Sequence, residues 1–137
     1  MGVNLWEIVA GTVVQMGMGF FWYGPGFGKQ WMKAMGYDKM SKKDLEKMKQ
    51  KGQKSMGYMI VNSIITAAVL SCIMSFLNPA TVGMGIVFGF VIWLGFYATS
   101  QMGSVLWDGK PWNLYFINTS FYLANMVVMG AIMALIK

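Results

Sequence analysis

Four polar side chains, Glu7, Gln15, Asn118 and Asn125, sit inside long apolar runs, where each must find a partner away from water. Asn118, Tyr122 and Asn125 recur at four- and three-residue steps, the spacing that lines one helix face. Gln15 and Glu7 fall near one face with Gly11, joined by Asn4, and Asn62 and Thr66 add polar groups elsewhere. Such residues can line a narrow polar path or relay a proton. The plainer reading is hydrogen bonding between helices, worth about 0.6 to 2 kcal/mol per contact. Glu7 lies about four residues into its run, roughly 6 Å of helix rise, which predicts a place near a membrane surface. Bridging is the better-supported expectation. The other unusual donor is sulfur, with 15 methionines grouped as Met16 and Met18, Met32 and Met35, Met56 and Met59, and Met126, Met129 and Met133. Thioethers suit Cu(I), but Met is more often a flexible apolar filler.

What is missing narrows the chemistry further. The chain has no His, no Arg and one cysteine, Cys72. His-based acid–base catalysis, Cys/His zinc sites, disulfide frameworks and bidentate Arg recognition all fall away. No nucleophile–base pair can be assembled, so an enzyme is not expected, nor is a metal or other cofactor. The run Gly24-Pro25-Gly26-Phe27-Gly28-Lys29 resembles a phosphate-binding loop. It fails because Tyr23 stands where the leading glycine belongs and Gln30 where Ser or Thr is required.

The elements carrying these residues are membrane spans. Of 137 residues 56% are hydrophobic and 12% charged, about half the roughly 25% charge of a soluble domain. Four apolar runs, at about 3–23, 56–77, 81–102 and 112–136, contain no Lys and a single acid, Glu7. Each reaches the ~20 residues that cross a hydrocarbon core as a helix. They lack the alternation of barrel strands. The expected fold is an all-α integral membrane protein of four transmembrane helices in one domain. The first run is not expected to be a cleaved signal peptide, since no cation precedes it and Glu7 interrupts it. Asn78-Pro79-Ala80 is so short that the second and third spans should form an antiparallel hairpin, and Asp108-Gly109 marks the next turn.

Residues 24–55 form the long loop. Trp22 and Tyr23 suit an aromatic belt, and Gly24-Pro25-Gly26 should stop the helix. Phe27, Trp31 and Met35 then recur every four residues, with Lys29 and Lys33 offset, which predicts a short interfacial helix with snorkelling lysines. Trp107 and Trp112 are further interface candidates. A basic helix should start at Ser41, capped by its hydroxyl, with Gly52 and Gly57 as candidate kinks before the second span. The long loop holds nine of the eleven lysines and the third loop adds Lys110, leaving only Lys137 on the other side. Positive-inside bias then predicts a cytoplasmic loop and both termini outside. The seven lysines of Lys39–Lys54 can attract anionic lipids, at about 1 kcal/mol each at most. Nucleic acid is not an expected partner, because Arg is absent and few aromatics interleave.

Small residues form the most regular pattern: Ser63, Ala67, Ser71 and Ser75 along the second span, Gly85 and Gly89 in the third, and Gly130 and Ala134 in the fourth. Such stripes let helices approach closely in lipid. They predict packing within the bundle and, if one is left over, assembly with another copy or with other membrane subunits. Gly19-Phe20-Phe21-Trp22-Tyr23-Gly24-Pro25, followed by Phe27-Gly28-Lys29-Gln30-Trp31-Met32, resembles the start of the small membrane proteins grouped as domain of unknown function 1761. A looser likeness covers nearly the whole chain. The resemblance implies a small four-helix protein of a bacterial-type inner membrane and supplies no activity. The expected role is a non-catalytic accessory or structural subunit; the alternative is a small oligomeric channel or transporter using Glu7, Gln15, Asn118 and Asn125.

Overall fold

The computed structural model describes residues 3–136, so Lys137 and the amino terminus, which enter the orientation argument, lie outside the described residues. Those residues are helical, with no strand among them. Helix α1 runs Leu5–Phe21, α2 Gly28–Ala34, α3 Lys42–Leu77, α4 Val82–Leu106 and α5 Trp112–Ile136. Three of them, α3, α4 and α5, are long and apolar enough to cross a membrane. The expected fourth span is shorter than its apolar run. Regular α1 has 17 residues, about 26 Å at 1.5 Å per residue, below a ~30 Å hydrocarbon core. Its continuation, Trp22–Gly26, is a π-turn containing Pro25, with Gly24 out of helical geometry at φ −112° and ψ −105°. Proline cannot donate to the helical ladder, so regular bonding stops before it.

The basic helix and the second expected span are one helix. Ser41 caps α3 by accepting from the Asp44 N–H at 3.3 Å, and the helix then runs 36 residues through Gly52 and Gly57 without the expected kinks. Neither glycine is approached by another element, so nothing bends the helix there. α4 is interrupted midway by a second π-turn, Trp93–Ala98.

The hairpin expected of the second and third spans exists as a connection but hardly as a contact. Asn78 ends α3 in the left-handed conformation and Thr81 caps α4, yet α3 packs on α1 while α4 packs on α5. A cleft of about 240 Å³ separates α3 from α4 near Thr66, Val69 and Tyr97. The reason lies in the glycines. A Cβ on Gly85 would collide with the Gly130 carbonyl oxygen and lie 2.8 Å from the Ala134 Cβ, and one on Gly89 would collide with the Met126 carbonyl. α4 and α5 therefore meet backbone to backbone, closer than any larger residue permits. α5 is the hub, packing against α1, α3 and α4. Its Met126, Met129 and Met133 fill the centre with Ala67, Leu70 and Met74. Met129 and Met133 seat their methyl groups at Gly11, which uses these thioethers as packing.

Candidate functional site

Each π-turn begins with a tryptophan, and both indoles hold α5. Trp22 Nε1–H donates to the Ile117 carbonyl at 3.0 Å, and Trp93 Nε1–H donates to the Thr119 carbonyl at 2.8 Å. Asn118, the residue between, is held by its side chain: the Tyr23 hydroxyl donates to its Oδ1 at 2.6 Å. On the α4 side, Thr119 Oγ1 donates to Gln101 Oε1 at 3.1 Å, and the Tyr115 hydroxyl donates to the Ala98 carbonyl at 2.7 Å. Tyr97 stacks on Tyr122 with ring centroids 4.8 Å apart. π-turns recur at functional sites because they free backbone groups and re-aim side chains.

Four of these residues border a cavity of about 700 Å³ at the lysine-rich end of the bundle. Gln101, Asn118, Tyr122 and Tyr23 supply its polar wall, and Met16, Phe20, Trp31, Met35, Met56 and Met59 its apolar one. The volume and the mixture, mostly apolar with a few fixed polar groups, are those of a small-molecule site. α2 closes one side, with Trp31 edge-on to Tyr23 at 5.6 Å. Gly28 makes this possible, since a Cβ there would lie 2.7 Å from the Tyr23 carbonyl oxygen.

Beyond the cavity the α1–α5 seam stays polar. The buried residues of α1 are Glu7, Gly11, Gln15 and Gly19, one every four residues. Gly11 lies against Met129 and Met133 and Gly19 against Phe121, so the antiparallel register sets Gln15 level with Asn125. Asn125 is 0% exposed and Gln15 7%. Gln15 Oε1 and both polar atoms of the Asn125 amide have no hydrogen-bond partner. The expected helix-bridging bonds are not made by these atoms. At the far end Glu7 is 7% exposed. α1 turns it onto α3, where Ser71 Oγ donates to Glu7 Oε2 at 2.5 Å and itself accepts from the Asn4 N–H at 3.2 Å. Ser71→Ala removes that donor from a buried carboxyl and is expected to cost about 1.5–3 kcal/mol, read as a lower unfolding midpoint in detergent. An unchanged midpoint would show the bond to be idle.

Of the four path candidates, Asn118 lies at the cavity and Gln15 and Asn125 midway along the α1–α5 seam, while Glu7 lies beyond a methionine plug and faces α3. Asn4 instead caps α1, accepting from the Trp6 N–H, while Asn62 points out of the bundle and Thr66 bonds its own helix. Among the small residues, Ala67 lies at Gly11, Ser63 Oγ reaches Met16 Sδ at 3.5 Å, and Gly85, Gly89, Gly130 and Ala134 form the α4–α5 contact. Ser75 bonds back to the Cys72 carbonyl. Of the interface candidates, Lys29, Lys33, Trp107 and Trp112 are exposed, while Trp22, Tyr23 and Trp31 turn inward. Gln101, Trp93 and Tyr97 were not among the sequence candidates. A signal existed, since both π-turns open on Trp-x-Gly, Trp22-Tyr23-Gly24 and Trp93-Leu94-Gly95.

No curated protein and no solved structure matches the chain. Residues 6–134, nearly its whole length, match the model of the family described as protein of unknown function DUF1761, and the chain belongs to that family.

Proposed function

We propose that this is a non-catalytic, four-span membrane protein that takes a small ligand into the cavity at its lysine-rich end, as part of a transport route along the α1–α5 seam. The apolar run continues past regular α1 through Trp22 and Tyr23 until the chain kinks at Gly24, and an apolar helix of 17 residues lies at the short end of what bilayers accommodate. Lysine bias favours a cytoplasmic loop and termini outside, with Lys39–Lys54 near anionic lipids, and the family resemblance favours an inner membrane. A protease added outside intact cells that cut the 39–54 segment would overturn this orientation.

The observation that carries the ligand reading is the enclosed, unpartnered pair Gln15 and Asn125, about one helical turn past the cavity residues Gly19 and Tyr122. Buried polar groups without partners are costly, and inside a membrane they mark ligand or ion routes by default. The test is native mass spectrometry of the protein extracted gently from its own membranes. The expected result is a monomer or closed homo-oligomer carrying a small bound mass, which a cavity-filling Met59→Trp variant loses.

The accessory-subunit reading keeps one observation in its favour. Most small residues are spent inside the chain, but Gly95 has nothing within 4 Å and Thr99 beside it is exposed on the outer face of α4. Recovery of the chain with other polypeptides and no bound small molecule would replace the ligand reading with that one.

A further inference from the structure

The polar wall of the cavity is biased toward hydrogen-bond donors. Asn118 Oδ1 accepts from Tyr23 and Gln101 Oε1 accepts from Thr119, which fixes both amides by their oxygens. Their NH2 groups have no protein partner among the described residues, and the Tyr122 hydroxyl, free to donate, lies on the same wall. None of the lining residues is charged. An amide whose oxygen already accepts one bond presents two N–H donors against one remaining lone pair. A ligand completing this wall must bring acceptors. A full anionic charge would enter a site with no cation to meet it, at a large desolvation cost. A cation would meet N–H groups pointing at it. The remaining wall, rich in methionine, adapts to irregular apolar shapes.

We infer that the cavity binds a neutral amphipathic molecule whose head carries carbonyl oxygens, seated on the Gln101 and Asn118 amides with its apolar tail along Met16, Met35, Met56 and Met59. This rests on the ligand-binding reading above and names the chemical class. Two membrane-soluble sources share that chemistry: a quinone-type ring with two carbonyls, and an uncharged fatty ester.

The whole chain in nanodiscs is titrated with three probes bearing equal ten-carbon tails: a decyl-benzoquinone, a monoacylglycerol and a decyl-trimethylammonium. One-to-one binding is expected for a carbonyl probe, the tighter of the two identifying ring or ester, and at least tenfold weaker binding for the cation. Asn118→Asp and Gln101→Glu preserve the acceptors for Tyr23 and Thr119 and remove the free N–H donors, so the fold is retained. Together they are expected to weaken the carbonyl probe by about tenfold or more and to leave or improve the cation. Equal binding of all three probes, or of parent and double variant, would overturn the inference. If a bound native mass persists and is lost in Met59→Trp while neither carbonyl probe binds, the ligand class is wrong and the cavity reading stands. If no native mass is found and no probe binds, both are wrong.

Discussion

Gly89→Ala is expected to pull α4 away from α5, at a cost of about 3 kcal/mol, the upper end of ordinary overpacking. The added Cβ would collide with the Met126 carbonyl oxygen and lie 3.2 Å from the Val127 Cα, all of it backbone. Backbone inside a helix cannot rotate away as a side chain can, so relief requires the helices to separate. Gly85 and Gly130 face one another across the same contact, and Trp93 and Ala98 are tied to α5 further along. Separation at Gly89 therefore propagates toward the cavity and loosens Gln101. Gly57→Ala is the internal control: it lies in the long helix with nothing within 4 Å. There alanine gains helix propensity, up to about 1 kcal/mol. The two alanines should shift the unfolding midpoint in detergent in opposite directions. A Gly89→Ala protein as stable as its parent would mean that the α4–α5 contact is looser than described.

The contrast between those glycines marks what was readable beforehand. Spacing alone put Gly85, Gly89, Gly130 and Ala134 on stripes, because helical period and residue size are local properties. It could not say that the stripes face each other, since α3 and α4 look adjacent in sequence and pack on different partners. The apolar runs gave the ends of α4 and α5 and the C-terminus of α3 to within a few residues, while α3 itself begins at Lys42, in the basic segment. They did not reveal the shortness of regular α1, because hydropathy continues through Trp22 and Tyr23 while the bonding changes. The partner of Glu7 was hidden for a related reason. Distance along the run measures depth, whereas burial depends on which way the helix is turned, and Gly11 with its close contact to Ala67 fixes that rotation. Gln101, at the end of the third apolar run, carried only the mark of a polar residue near an interface. It matters because Thr119 holds its oxygen, a contact between residues of two helices.

Asn125→Leu decides between glue and pathway, because the two readings predict opposite signs. If Asn125 bridged helices, losing it would cost about 0.6 to 2 kcal/mol and leave ligand handling intact. Its amide instead makes no hydrogen bond, at 0% exposure, in a shell containing Met126 and Met129. Leucine has a similar branched shape and no polar atoms, so the variant is expected to be more stable than the parent by about 1–3 kcal/mol. That gain should come with loss of the bound mass or of its movement across a liposome membrane, the usual exchange of stability for function at a working site. Gln15→Leu, level with it on α1, should behave the same way, and the double variant should gain less than the sum because the two share one polar layer. A destabilised Asn125→Leu that still holds and moves its ligand would assign the amide to helix bridging after all. A stabilised variant that has lost its ligand would place the working part of this protein at the only level of the described seam where buried amide atoms stand without partners.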